Sequence, residues 1–257
     1  PKHHIMTIHI IETGYFKLDG GAMFGVVPKT LWQKKNKPDE NNLCTWSMRC
    51  LLIEHGERRI LIDTGIGDKQ DEKFRSHFDH VGGAVKYDAD KNLVPAFPNA
   101  TYWSNEVHYN WAYYPNPREK ASFLKENFVP LKKAGVLKFI DVQKDDLEWL
   151  PGIDIRFVYG HTEAMMVPIF HQGDHTLVYC ADVIPSSFHI GMPYVMSYDL
   201  RPLDTMREKG RILEDGVDRG HYLFFEHDPF TACAQVERND RSHIAKGADV
   251  DVEALFQ

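Results

Sequence analysis

The chain has 257 residues, 43% of them hydrophobic and 26% charged. That is room for one large α/β domain with a substantial core, and it excludes disordered, collagen-like and coiled-coil chains. Thirty basic against 37 acidic residues leave a net charge of −7 without a Lys/Arg block, so no nucleic-acid partner is expected. No apolar run approaches the ~20 residues of a membrane span, and no membrane partner is expected either.

In chain order, the start Pro1-Lys2-His3-His4 carries no signal-peptide core. Apolar runs at 5–11, 48–53 and 59–62 predict a meander, its last two strands turning at His55-Gly56-Glu57. Ser104 predicts the cap of a helix with Val107 and Trp111 on one face, and Pro117 opens a second through Ala121, Leu124 and Phe128. Further strands are predicted at 136–142, 153–159 and 176–180. Thr205-Met206-Arg207-Glu208 has capping-box spacing; it predicts a helix that buries Met206, Leu213 and Val217 and stops at Gly220, before a strand at 222–225. Strands first, then strand and helix in alternation, predict an α/β domain over residues 1–257 with helices on the faces of its sheets. Cys44, Cys50, Cys180 and Cys233 form no CxxC pair, so they read as reduced thiols of a cytoplasmic protein.

The strand ends carry the chemistry. The run at 59–62 leads into Asp63-Thr64-Gly65, the next ones into His161, Asp182 and His227, and in α/β architectures ligands gather at the carboxyl ends of strands. A single His or Asp in such a place is usually a turn or capping residue. Four of them, with the cluster His77-Phe78-Asp79-His80-Val81-Gly82-Gly83, point to a metal site. His-x-Asp-His brings imidazole and carboxylate together in one tight segment, a mixture that suits Zn²⁺ and also Mn²⁺, Fe²⁺ or Co²⁺. Gly82 and Gly83 let the backbone turn closely. His3, His4, His9, His55, His171, His175, His221 and His243 read as solvated surface.

These residues resemble the metallo-β-lactamase superfamily, whose hallmark H-x-H-x-D-H is followed by a His, a bridging Asp and a last His. The matches are His77, Asp79 and His80, then Gly160-His161-Thr162, Ala181-Asp182-Val183 and Phe225-Glu226-His227-Asp228, with Asp63-Thr64-Gly65 as the D-T-G turn. The segment from Asp19-Gly20-Gly21-Ala22-Met23-Phe24 to Leu31-Trp32, and Tyr198-Asp199-Leu200-Arg201-Pro202, resemble N-acyl homoserine lactone lactonases. The resemblance implies an αβ/βα sandwich of two mixed sheets flanked by helices, holding two divalent ions of the zinc type. His77 and His161 would hold one ion, Asp79, His80 and His227 the other, and Asp182 would bridge them. A metal-bridged hydroxide would open the lactone ring and Asp79 would pass a proton to the leaving alkoxide. Asp63 would orient a ligand. His189 is a candidate contact for the substrate carbonyl, and Met23, Phe24, Trp32 and Met192 are candidates for an acyl-chain pocket. The expected partner is a small lactone or ester, with homodimerisation left open. The alternatives are an organophosphate or aryl-ester hydrolase of the same fold and a degenerate, non-catalytic metal-binding domain.

One departure stands out. Arg75 occupies the place of the first hallmark His, the lead-in 68–76 is polar, and eleven residues separate Gly65 from His77. A parallel crossover takes about a dozen residues or more before its second strand begins. The expectation that follows is a segment omitted near residues 76–79, where a helix, a strand and a ligand would belong.

Overall fold

The computed structural model describes residues 5–67, 69, 78–80 and 83–257, and of 78–80 the backbone alone. The predicted meander forms β1 (Met6–Asp19), β2 (Leu43–His55) and β3 (Arg58–Ile62). All its pairs are antiparallel, with Ile8 opposite Ile53 and Leu52 opposite Leu61. The register of β1 shifts between Glu12 and Tyr15, and there β4 (Phe78–His80) joins its free side, Gly14 opposite His80 and Phe16 opposite Phe78. β4 therefore runs antiparallel to β3 as well. No parallel crossover links them, so the length argument for an omitted segment loses its premise; apart from the backbone at 78 and 79, that segment and His77 lie outside the described residues.

Two short pairs follow. β5 (Val85–Tyr87) and β6 (Leu93–Pro95) form a hairpin, and β7 (Tyr102–Ser104) lies parallel to β8 (Leu137–Phe139). The second large sheet has the order β15-β14-β13-β12-β11-β10-β9. Its strands are β9 (Leu147–Leu150), β10 (Ile153–Val158), β11 (Met165–Gln172), β12 (His175–Tyr179), β13 (Tyr222–Phe224), β14 (Cys233–Arg238) and β15 (Ile244–Asp249). This sheet is mixed through one parallel pair, β12 with β13; the four-stranded sheet, expected to be mixed too, is antiparallel in all its described pairs.

The sheets meet over Met6, Ile8, Leu51 and Ile53 on one side and Ile153, Phe170, Leu177 and Phe224 on the other, all buried. The alternation in β1 and β10 is what makes this layer apolar. The outer face of the larger sheet is covered by the helix Pro202–Arg219, whose Ile212 and Leu213 pack on Val158, Val167, Val178, Leu223 and Val236.

Three helix expectations need correction. The helix after β7 is Glu106–Tyr113, capped by Asn105, whose Oδ1 accepts the His108 N–H at 2.7 Å. It buries Tyr109 and Ala112, and Val107 is exposed, because Ser104 belongs to β7 and the cap sits one residue later. From Pro117 onward the chain makes turns rather than a continuous helix, with helical turns only at Lys125–Asn127 and Val129–Lys133. Asn116 Oδ1 accepts from the N–H groups of Arg118 and Glu119, an Asx turn that competes with helix. The third helix starts at Pro202, ahead of the predicted capping box, because Pro is well suited to a first turn. It buries Thr205, Lys209, Ile212, Leu213 and Gly216, leaving Met206 and Val217 half-buried, and ends at Gly220 in the left-handed region (φ 71°) as expected.

Candidate active site

β10, β12 and β13 run in one direction, so their carboxyl ends share an edge of the sheet. The chain leaves that edge with His161 after β10, Asp182 in the 3₁₀ turn Ala181–Val183 after β12, and Glu226-His227 after β13. The segments of His161 and His227 are held from outside the sheet. Glu208 accepts the N–H groups of Tyr159 (2.7 Å) and Gly160 (2.9 Å), so the glutamate of the predicted capping box serves the end of β10 instead. Thr205 lies so close to Gly160 that a Cβ there would come within 2.2 Å of its nitrogen. Behind His227, Ser47 N–H donates to the His227 carbonyl (3.1 Å) and Arg49 N–H to that of Glu226 (3.2 Å).

The carboxylate of Asp182 stands between two imidazoles. His161 Nε2 is 3.2 Å from Oδ2 and His227 Nε2 is 3.4 Å from Oδ1. The far side of each ring is committed: His161 Nδ1 donates to Asp199 Oδ1 (2.7 Å) and His227 Nδ1 to the Ser47 carbonyl (2.9 Å). With the proton on Nδ1, each Nε2 presents a lone pair to an acidic oxygen, and two acceptors at such a distance need a cation between them. A proton serves. Burial opposes charge on His161, yet Asp182 and Asp199 outweigh it and raise the ring to about 10. For His227 burial is outweighed by Glu226 and Asp182, giving about 9. The same two histidines hold Asp182 well below the usual carboxylate range against the effect of its burial. A divalent ion serves equally. Imidazoles whose second nitrogen donates to a carboxylate or carbonyl, facing a shared carboxylate, have the donor set and tautomer of metal ligands.

The residues present thus fit metal. Among the described residues no group of three or more His, Cys, Asp or Glu side chains closes around a single point; His77 and the side chains of Asp79 and His80 lie outside the described residues. Of the other predicted ligands, Asp79 and His80 have their backbone in β4, opposite Tyr15 and Gly14. The neighbouring Phe16 sets its ring edge-on to His227 with centroids 5.1 Å apart, so β4 joins the fold beside the site. Among the described residues no hydrogen bond joins Asp63 to a histidine; it accepts the Gly65 N–H (2.6 Å), and burial together with the nearby Asp63 carboxylate pushes up the carboxyl of Glu226, the residue before His227.

His161, Asp182 and His227 open into a cavity of about 710 Å³. Its lining is apolar at Phe16, Leu18, Met23, Phe123, Met165 and Met196 and polar at His108, Arg118, Glu119, Thr162 and Tyr198, with the Phe123 ring edge-on to His108 at 5.8 Å between centroids.

Neither the protein-family models nor the curated proteins gave a match to this chain. Solved structures did. A probable metal-dependent hydrolase from Staphylococcus aureus superposes with a TM-score of 0.81 at 23% identity, covering 98% of this chain and 100% of that one. AidC, a dizinc quorum-quenching lactonase solved with the product N-hexanoyl-L-homoserine, gives 0.75 at 18% identity over 98% and 97% of the two chains. AbOPH, a hydrolase of the β-lactamase superfamily, gives 0.72 at 18% over 96% of each. The chain has the metallo-β-lactamase fold.

On the metallo-β-lactamase fold the predicted pocket residues separate. Met23 lines the cavity; Phe24 and Trp32 lie beneath it, fully buried and stacked on each other with centroids 5.3 Å apart. Met192 is not among the cavity's lining and rests over Gly210. His189 is no substrate contact, because it is buried and both ring nitrogens are used: Nε2 donates to the Met23 carbonyl (2.8 Å) and Nδ1 accepts from Ser186 Oγ (2.7 Å). Sequence reasoning missed His108, Arg118, Glu119 and the role of Asp199. Of these only Asp199 carried a signal, in Tyr198-Asp199-Leu200-Arg201-Pro202, where the segment resembled the lactonases but its partner was unknown.

Proposed function

We propose that this protein is a metal-dependent hydrolase that opens lactone rings, with N-acyl homoserine lactones as its substrates. The observation that carries this reading is Asp182 held between His161 Nε2 and His227 Nε2, both rings locked from behind, in a cavity whose lining is largely apolar. Divalent ions, Zn²⁺ by the donor types, would be held by His161, Asp182 and His227 together with His77, Asp79 and His80, and would supply an activated water and a Lewis acid.

The chain's own groups do the rest. Asp199 and the Ser47 carbonyl keep both Nε2 atoms aimed at Asp182. Phe16, Leu18, Met23, Phe123, Met165 and Met196 take an acyl chain and keep water from the reacting carbonyl. Asp79 keeps the proton transfer to the leaving alkoxide that its motif assigns. The product-bound lactonase among the solved neighbours supports the lactone substrate; the four unpaired, buried cysteines support a cytoplasmic setting. A second reading, hydrolysis of organophosphates or aryl esters, is favoured only by the likeness to AbOPH. A turnover screen of the metal-loaded protein with acyl homoserine lactones of several chain lengths, paraoxon and an aryl acetate separates the two. Lactone turnover exceeding the others is expected, and none at any chain length would overturn the proposal.

A further inference from the structure

His108 is a cavity histidine that the mechanism above leaves unused. It lies in the first turn of the helix Glu106–Tyr113, and that turn is stapled to the loop carrying His161. Asn105 Oδ1 accepts the His108 N–H (2.7 Å) while its Nδ2 donates to the Ala164 carbonyl (2.8 Å). His108 Nδ1 donates to the Glu163 carbonyl at 2.6 Å. Glu163 is fixed in turn by Arg201, whose guanidinium reaches its carboxylate (2.6 Å) and the Tyr159 carbonyl (2.7 Å). The ring therefore sits in a frame that does not depend on substrate.

A carbonyl can only accept, so the proton of the neutral ring is on Nδ1 and Nε2 is left as an acceptor. Burial pushes His108 below the usual imidazole range, which keeps the ring neutral. Nε2 has no hydrogen-bond partner among the described residues, and His108 lines the same cavity as His161, Asp182 and His227. The hydroxyls of Ser122, Thr162, Ser197 and Tyr198 in the lining can each donate as well as accept, whereas the neutral His108 Nε2 can only accept. Glu119 already accepts from Trp111 Nε1, Asn116 Nδ2 and Thr162 Oγ1. Arg118 offers only donors.

We propose that His108 Nε2 accepts a hydrogen bond from an N–H group of the substrate, so that the site selects lactones bearing an acylamino group over lactones and esters that lack one. The inference rests on the lactonase reading above. In an acylamino lactone the amide nitrogen is one carbon removed from the carbonyl that reacts, so an acceptor on the cavity wall next to the His161 loop can meet it while the carbonyl lies at Asp182. Alkyl lactones, aryl acetates and phosphotriesters have no donor to give, so their binding would take the cavity-facing Nε2 out of water without a partner, which discriminates against them.

The test is a cycle of two proteins and two substrates. The metal-loaded wild type and His108→Phe are each assayed with N-hexanoyl homoserine lactone and with its N-methyl analogue, which keeps the ring and chain but lacks the N–H. The wild type is expected to favour the N–H substrate in kcat/KM by about ten-fold, and the ratio to fall to near one in His108→Phe. His108→Gln, whose side-chain oxygen can accept, is expected to recover part of the ratio, and unchanged thermal unfolding certifies both variants as folded. Equal ratios in wild type and His108→Phe would overturn the inference. Should the wild type hydrolyse neither substrate, the lactonase reading fails by itself. Calorimetric binding of N-hexanoyl-homoserine and its N-methyl analogue then reads His108 directly: a wild-type preference for the N–H compound that His108→Phe loses supports it, and equal affinities overturn it.

Discussion

His189 and Asp199 show how much of this site is decided by single hydrogen bonds out of sight of the substrate. Asp199, buried, chooses which nitrogen of His161 faces Asp182. His189 ties the Met23 segment to Ser186, stacks on Phe24 with centroids 5.0 Å apart, and passes its carbonyl to the buried Lys209. Burial carries the His189 ring down to about 3. Its folded value is thus below the ordinary imidazole value of about 6.5, so between the two the unfolded chain binds the extra proton. The associated stability is present above about pH 6.5 and is lost as pH falls from there towards 3. From pH 7 to 5 this group alone lowers stability by roughly 2 kcal/mol at ~1.4 kcal/mol per pH unit. His189→Gln, which can bridge the same partners without titrating, is expected to lose about that much less in urea unfolding at the two pH values; an identical loss in both proteins would contradict it. His161 and His227 were legible as candidate ligands because each follows an apolar strand. Asp199 and His108 were not, because their partners come from loops distant in the chain, and Phe24, Trp32 and His189 were misplaced because aromatic residues near a motif look alike whether they line a cavity or support it.

At the scale of elements, the helix Pro202–Arg219 matters more to the site than its distance in sequence implies. Its first turns press Thr205 onto Gly160 and offer Glu208 to the end of β10, so the helix fixes the direction in which His161 leaves the sheet. A methyl at position 160 meets backbone rather than a flexible side chain. Gly160→Ala is accordingly expected to cost about 1–3 kcal/mol in urea unfolding and to reduce lactone turnover further than that loss of folded protein explains. Wild-type stability with full turnover would show that the contact is not rigid. The helix's C-terminus was readable from Gly220 and its start was not, since Pro202 and the Thr205 capping box are competing signals and the glutamate of the box bonds across to another element. The region after Pro117 was misread for a related reason: apolar spacing there has helical period, but Asn116 and the buried Glu119 bind the backbone and side chains into turns.

For the whole molecule, the order of strands is what turns scattered residues into a site. Alternation and turn residues made the meander and most of the larger sheet legible, and the strand-end residues made the shared edge of β10, β12 and β13 legible as a place for chemistry. The antiparallel pairing of β4 with β1 was not, because the polar stretch 68–76 before it carries no strand pattern. Among the described residues no helix is long and apolar enough to cross a membrane. On the proposed function Asp182 would hold two metal positions at once. Metal content measured by mass spectrometry on purified, fully metallated wild type and on Asp182→Asn tests it most directly. Two divalent ions per chain in the wild type, and at least one fewer in the variant, is the predicted result; equal metal content in the two proteins would contradict it.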